Sequence, residues 1–166
     1  MKQIKLIFGI FIACALLTFF QSCKKEKALT NEQIVENALN EFVADLQSNP
    51  PNTDNLSGRV YNYMQGKSEI FYGSTVTLLD SAGNAVISPY WFRQNNILVN
   101  SSNLMDTAYH IENQFWFRKP IDGGSAVWTE PYFDAGGGNI WMKTRAVPVY
   151  INGKIKAVAT TDMAID

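Results

Sequence analysis

The chain has 166 residues, 46% of them hydrophobic and 17% charged, and a formal net charge of −1. That length allows one domain plus a targeting segment. The composition excludes a disordered chain, and the near-neutral balance excludes a broad basic surface for nucleic acid.

Lys2 and Lys5 precede an apolar run over residues 6–20, which is followed by Gln21-Ser22-Cys23. This is a positive start, an apolar stretch too short to span a bilayer comfortably, and a small residue before a cysteine. It resembles a bacterial lipoprotein signal, so residues 1–22 are expected to be removed and Cys23 to become a lipidated N-terminus. An uncleaved membrane anchor is the competing reading. Cys14 would leave with the signal, so Cys23 would have no partner for an intramolecular disulfide. Loss of Lys2 and Lys5 takes Lys+Arg from 14 to 12 against 15 Asp+Glu, a mature net charge of −3. Lys24, Lys25 and Lys27 lie beside the lipid and read as a solvated tether over residues 23–29.

The single domain is expected over residues 30–166. Thr30 and Gln33 have the spacing of a capping box at a helix start. Ile34, Val35, Ala38, Leu39, Phe42, Val43 and Leu46 then recur at helical spacing, leaving Glu36, Asn40, Glu41 and Asp45 outside. Pro50-Pro51 ends the helix. Residues 52–58 read as a loop and 59–65 as a short helix. Residues 70–79 and 85–88 read as strands joined by the turn at 80–84. Tyr90, Trp91 and Phe92 read as core filling, and the polar stretch 94–102 as a loop placed to act as a lid. The spacing of Leu104, Ala108, Ile111 and Phe115 predicts a helix over 105–117, with Tyr109 and Trp116 two turns apart along one side. His110, the single histidine, has no companion at metal-ligand spacing, and no metal site is expected.

The stretch 128–162 carries the densest pattern. Met142, Thr144 and Ala146 alternate with Trp141, Lys143, Arg145, Val147 and Val149 on opposite faces of a strand. Asn152-Gly153 supplies the positive φ angles of a two-residue hairpin turn, and residues 155–161 return as the partner strand. Such a hairpin draws Asp134, which opens the turn at Gly136, Gly137 and Gly138, towards Asp162. Two carboxylates converging beside Trp128, Tyr132 and Trp141 would make an anionic, aromatic-walled site. The same residues also read as ordinary turn and strand-end chemistry.

These pieces together resemble a known family. Trp116-Phe117, the run from Trp128 to Asp134, the Ala146-Val-Pro-Val-Tyr150 strand and the run from Ala157 to Asp162 are similar to extracytoplasmic Cache sensor domains. Those are PAS-like modules of bacterial chemoreceptors, histidine kinases and regulatory phosphatases. The resemblance covers residues 56–166. It implies an α+β fold, with an N-terminal helix and a curved antiparallel sheet of about five strands with short helices on one face. In relatives that bind amino acids, it implies that aspartates and aromatics hold the ligand's ammonium and an arginine its carboxylate. Tyr109, Trp116, Tyr132, Asp134 and Asp162 match that pattern. Gln114 stands where the arginine would be and Phe117 where a tyrosine would be. A neutral amide replaces a charged bidentate fork, so an amine without a carboxylate fits these residues better than an ordinary amino acid.

No Walker loop, HExxH or GxSxG motif is present, and neither catalysis nor a cofactor is expected. The expected function is small-molecule sensing by a lipid-anchored domain that faces the periplasm or cell exterior. A membrane signalling partner would be contacted through the N-terminal helix. A ligand-scavenging lipoprotein and a structural, protein-binding lipoprotein are the alternatives. If the signal is read correctly, radiolabelled palmitate enters the wild-type protein and fails to enter a Cys23→Ser variant. Equal labelling of the two would reject the anchor.

Overall fold

The computed structural model describes residues 28–165, so Cys23 and the signal segment lie outside the described residues. Helix α1 (Asn31–Ser48) starts at Thr30, whose hydroxyl accepts from the Gln33 amide while the Gln33 side chain accepts from the Thr30 amide. Its buried stripe is Val35, Leu39, Phe42, Val43 and Leu46. Ile34, expected in that stripe, is exposed. Helix α2 (Leu56–Met64) follows, longer at its start than the short helix expected.

The sheet has eight strands, not five. In space its main path runs β4 (Ile97–Ser101), β3 (Tyr90–Gln94), β1 (Gly73–Leu79), β8 (Lys154–Ala164), β7 (Trp141–Ile151) and β5 (Val127–Trp128). Strand β2 (Ala85–Ile87) pairs with β1, and β6 (Tyr132–Phe133) pairs with β7. Of the strands not marked by the sequence pattern, β5 and β6 are two residues long, too short for alternation to register, and β3 and β4 fall in the stretches read as core filling and as a lid. The polar stretch expected as a lid is instead the β3–β4 hairpin, turned by Asn95 and Asn96 at φ 52° and 62°. Two asparagines replace the more familiar Asn-Gly, because both tolerate a positive φ.

The β7–β8 hairpin turns at Asn152 (φ 52°) and Gly153 (φ 73°) as expected. Its register sets Thr144 opposite Asp162 and Arg145 opposite Thr161. Both faces of the sheet are covered. On the back, α1 and α2 pack on Val76, Val147, Val149, Ala157 and Ala159. On the front, Ala146 and Val158 meet Leu104, Tyr109, Ile111, Trp116 and Phe117. Alternation thus sends Thr160 and Asp162 to the front, with Thr161 between them facing back.

The helix expected over 105–117 does not form. Two short 3₁₀ turns, Asn103–Met105 and Ile111–Asn113, precede helix α3 (Phe115–Gly123). His110 interrupts the path at φ 52°, a left-handed conformation that no helix interior accommodates.

Gly73 on β1 marks a close approach. A Cβ there would lie 2.7 Å from Cε2 and Cζ of Tyr90, and Tyr90 is itself 2% exposed. Gly73→Ala is therefore expected to cost about 1–3 kcal/mol of stability by overpacking, read from the midpoint of urea unfolding. An unchanged midpoint would mean that Tyr90 is free to move.

Candidate functional site

Asp162 and Asp134 line one enclosed space on the front of the sheet, with Thr75, Tyr90, Leu104, Tyr109, Trp116, Tyr132 and Thr160. Each carboxylate residue is 5% exposed. Asp162 is placed by β8. Its Oδ2 accepts from the Tyr90 hydroxyl at 2.9 Å and its Oδ1 from the Thr144 hydroxyl at 2.7 Å. Thr144 gives its one proton to Asp162, so it accepts from Tyr132, whose hydroxyl lies 2.9 Å away. The Thr144 backbone is pinned in turn by Thr129, whose hydroxyl accepts from the Thr144 amide and whose amide donates to the Thr144 carbonyl.

Asp134 is placed by the glycine-rich turn. Its amide donates to the Ile140 carbonyl and its carbonyl accepts from Asn139, which closes the loop. Its Oδ2 accepts from the Gly138 amide at 2.7 Å and its Oδ1 from the Tyr109 hydroxyl at 2.8 Å. The Trp116 indole donates to that same hydroxyl at 3.3 Å. Tyr109 and Trp116 therefore do meet, through side chains across an irregular segment and not along a helix.

Among the described residues no cation enters this arrangement. Arg118 pairs with Asp122, Arg145 with Glu36 on the back of the sheet, and Lys143 with Glu32. Burial pushes the Asp162 carboxyl up from 3.8 to about 7 and the charge of Asp134 adds to this, against the lowering effect of the Thr144 and Tyr90 hydrogen bonds. Burial and the two carboxylates also push the Tyr90, Tyr109 and Tyr132 hydroxyls up, so they remain protonated donors. Only about 10 Å³ remains between the side chains, space for about one water molecule.

Of the residues singled out from the sequence, Tyr109, Trp116, Tyr132, Asp134 and Asp162 stand together. Gln114 lies outside the enclosed space, in an adjoining recess, and donates to the Tyr109 carbonyl at 2.8 Å. Phe117 does not join them. It is 1% exposed in the front core and borders a different recess with Ile111 and Met105. Trp128 and Trp141 are also elsewhere. The Trp128 indole donates to Glu36 of α1, and Trp141 is 57% exposed against Phe133. Tyr90, read as core filling, is buried as expected and also holds Asp162 directly. Its position beside β1 depends on strand order, which local pattern does not carry.

The fold agrees with comparison to known proteins. The family model described as the methyl-accepting chemotaxis protein-like first PDC sensor domain matches residues 58–166. The chain belongs to this family. It is a PDC sensor domain with the PAS-like fold. Among solved structures it is similar to the extracellular domain of a protein described as a histidine kinase, soHK1S-Z6. That pair shares 24% identity and a TM-score of 0.68 over 81% of this chain and 54% of the other. It is similar as well to the ligand-binding domain of the Pseudomonas aeruginosa PAO1 amino acid chemoreceptor PctC in complex with GABA, with 15% identity, TM-score 0.57, and coverage of 81% and 57%. The sensory domain of the Campylobacter jejuni chemoreceptor Tlp3 with isoleucine bound gives 15% identity, TM-score 0.55, and coverage of 80% and 51%. This chain thus spans about half the length of these solved domains. Among curated proteins none matches. The relatives are sensor and receptor domains. Among the described residues no helix is long and apolar enough to cross a membrane.

The raised Asp162 carboxyl has a consequence for stability. Because its folded value of about 7 exceeds its ordinary 3.8, the folded state holds a proton that the unfolded chain has lost between those values. Its contribution is full below pH 3.8 and is lost as pH rises through about 7. The loss approaches about 4 kcal/mol. Asp162→Asn is expected to gain stability relative to wild type as pH rises from 4 to 8, read as a widening difference between the two thermal midpoints. A constant difference would show that the carboxyl titrates normally.

Proposed function

We propose that this sensor domain responds to a small amine-bearing molecule, with Asp134 and Asp162 as its ammonium receptors. The observation that carries this reading is a pair of buried carboxylates that, among the described residues, are satisfied only by hydroxyls and one backbone amide, with no cation between them. A ligand ammonium would supply the missing positive charge through charge-assisted hydrogen bonds. Tyr109, Trp116 and Tyr132 would enclose it, with cation–π attraction adding to apolar contact, and Gln114 would meet the ligand's far end. Phe117 has no part in this reading. The sequence departure at Gln114 supports an amine over an amino acid, since among the described residues no cation lines either space to receive a carboxylate. Entry requires the enclosed space to open, and the proposal includes that movement.

The reading includes the tether: lipidation at Cys23 would hold the domain at the membrane surface, where α1 would face a membrane signalling partner. The smallness of the enclosed space favours a second reading, in which the carboxylate pair is purely structural and the protein has no small-molecule ligand.

Titration calorimetry with butylamine distinguishes them. Binding is expected at pH 8, with loss of affinity of up to tenfold per unit below about pH 7, because the ammonium must displace the Asp162 proton. Heats measured in buffers of different ionisation enthalpy should show proton release near pH 6. Unaltered affinity in Asp162→Asn would overturn the site, and absence of any heat would favour the structural reading.

A further inference from the structure

The enclosed space adjoins a larger one. A recess of about 300 Å³ is lined by Gln114, Phe115, Trp116, Thr129, Glu130, Pro131 and Tyr132. Trp116 and Tyr132 border both spaces, so these two side chains form the partition between them. The recess wall is mainly apolar, and Phe115 contributes a ring that is 54% exposed. Glu130 is the one formally charged residue lining it. Lys119 stands over the Phe115 ring, 5.8 Å from its centroid, and does not line the recess. Among the described residues the lining of both spaces therefore carries three carboxylates, Asp134, Asp162 and Glu130, and no Lys, Arg or His.

We infer that the two spaces form one elongated site for a dication, an α,ω-diamine or a close equivalent, with one cationic end at Asp134 and Asp162 and the other at Glu130. This rests on the amine reading above and specifies its ligand class. The inner ammonium is desolvated and held by buried acceptors. A short methylene spine lies along Trp116, Tyr132, Phe115 and Pro131, where burial of each methylene is favourable. The outer ammonium meets Glu130 at the solvent edge, where an ion pair is weak. A carboxylate in that place would face Glu130 with no compensating cation, so an ω-amino acid of equal length is disfavoured. Length selectivity follows, because only a spine that spans the Trp116–Tyr132 partition engages both ends.

Calorimetry on the full chain at pH 8 tests this with butylamine, 4-aminobutanoate and a series of diamines carrying three to six methylenes. At least one diamine is expected to bind about three- to fivefold more tightly than butylamine, and 4-aminobutanoate more weakly than either. Glu130→Gln should abolish the diamine advantage while leaving butylamine affinity unchanged. If butylamine binds but no diamine gains, or the gain survives Glu130→Gln, the dication inference falls and the amine reading stands. If 4-aminobutanoate binds more tightly than every diamine, the inference falls as well. If no amine binds, both fall together.

Discussion

The front of this domain depends on how Asp162 is buried. A carboxylate taken from water loses far more than two hydroxyl donors return, and Tyr90 and Thr144 are the two that reach it. The protein responds in the way open to an isolated buried acid, by holding its proton up to about pH 7. Several other features serve to keep those donors in place. Thr144 stands opposite Asp162 through the β7–β8 register. Thr129 fixes the Thr144 backbone and Tyr132 completes its hydroxyl. Tyr90 can approach because position 73 has no side chain.

Asp134 is handled differently although it borders the same space. Its turn provides a backbone amide at Gly138, whose dipole cannot titrate away, and Tyr109 donates to the other oxygen. The two acids are thus held by separate means, one by a loop and one by a strand. Their shared surroundings contain neutral donors on every side. The folded state is therefore less stable above about pH 7, where Asp162 gives up its proton.

Much of this was legible in the sequence, and the limits follow the range of the interactions. The capping box at Thr30, the Asn152-Gly153 turn and the placing of Met142, Thr144 and Ala146 on one strand face are local and follow from spacing alone. The same alternation places Trp141 on the face opposite Thr144, so the expectation that Trp141 joins the site conflicted with the strand pattern, and the pattern prevails. Trp128 is drawn away by Glu36, 92 residues earlier in the chain. Tyr90 was hidden for a related reason. Its strand pairs with β1, which pairs with β8, so the tyrosine reaches Asp162 across an intervening strand that no local periodicity reveals. The helix expected over 105–117 failed at His110, where apolar spacing is compatible with a helix but the backbone takes a left-handed turn.

The strand that carries Asp162 also ties the site to the helices behind it. Thr161 faces the opposite side of β8, and its hydroxyl lies 2.8 Å from that of Tyr63 on α2, which stacks on Phe42 of α1 at 4.4 Å between ring centroids. Arg145, next to Thr144, contacts Glu36 of α1 in the same way. Asp162, which lines the enclosed space, and Thr144, which donates to it, thus each have an immediate neighbour bound to a helix on the back. Successive strand side chains share one backbone, so a displacement of Asp162 or Thr144 moves these back-face contacts with it. A ligand changes the balance between two arrangements only by binding one more tightly than the other. The Tyr63–Thr161 and Arg145–Glu36 contacts therefore tie the strands that carry Asp162 and Thr144 to α2 and α1.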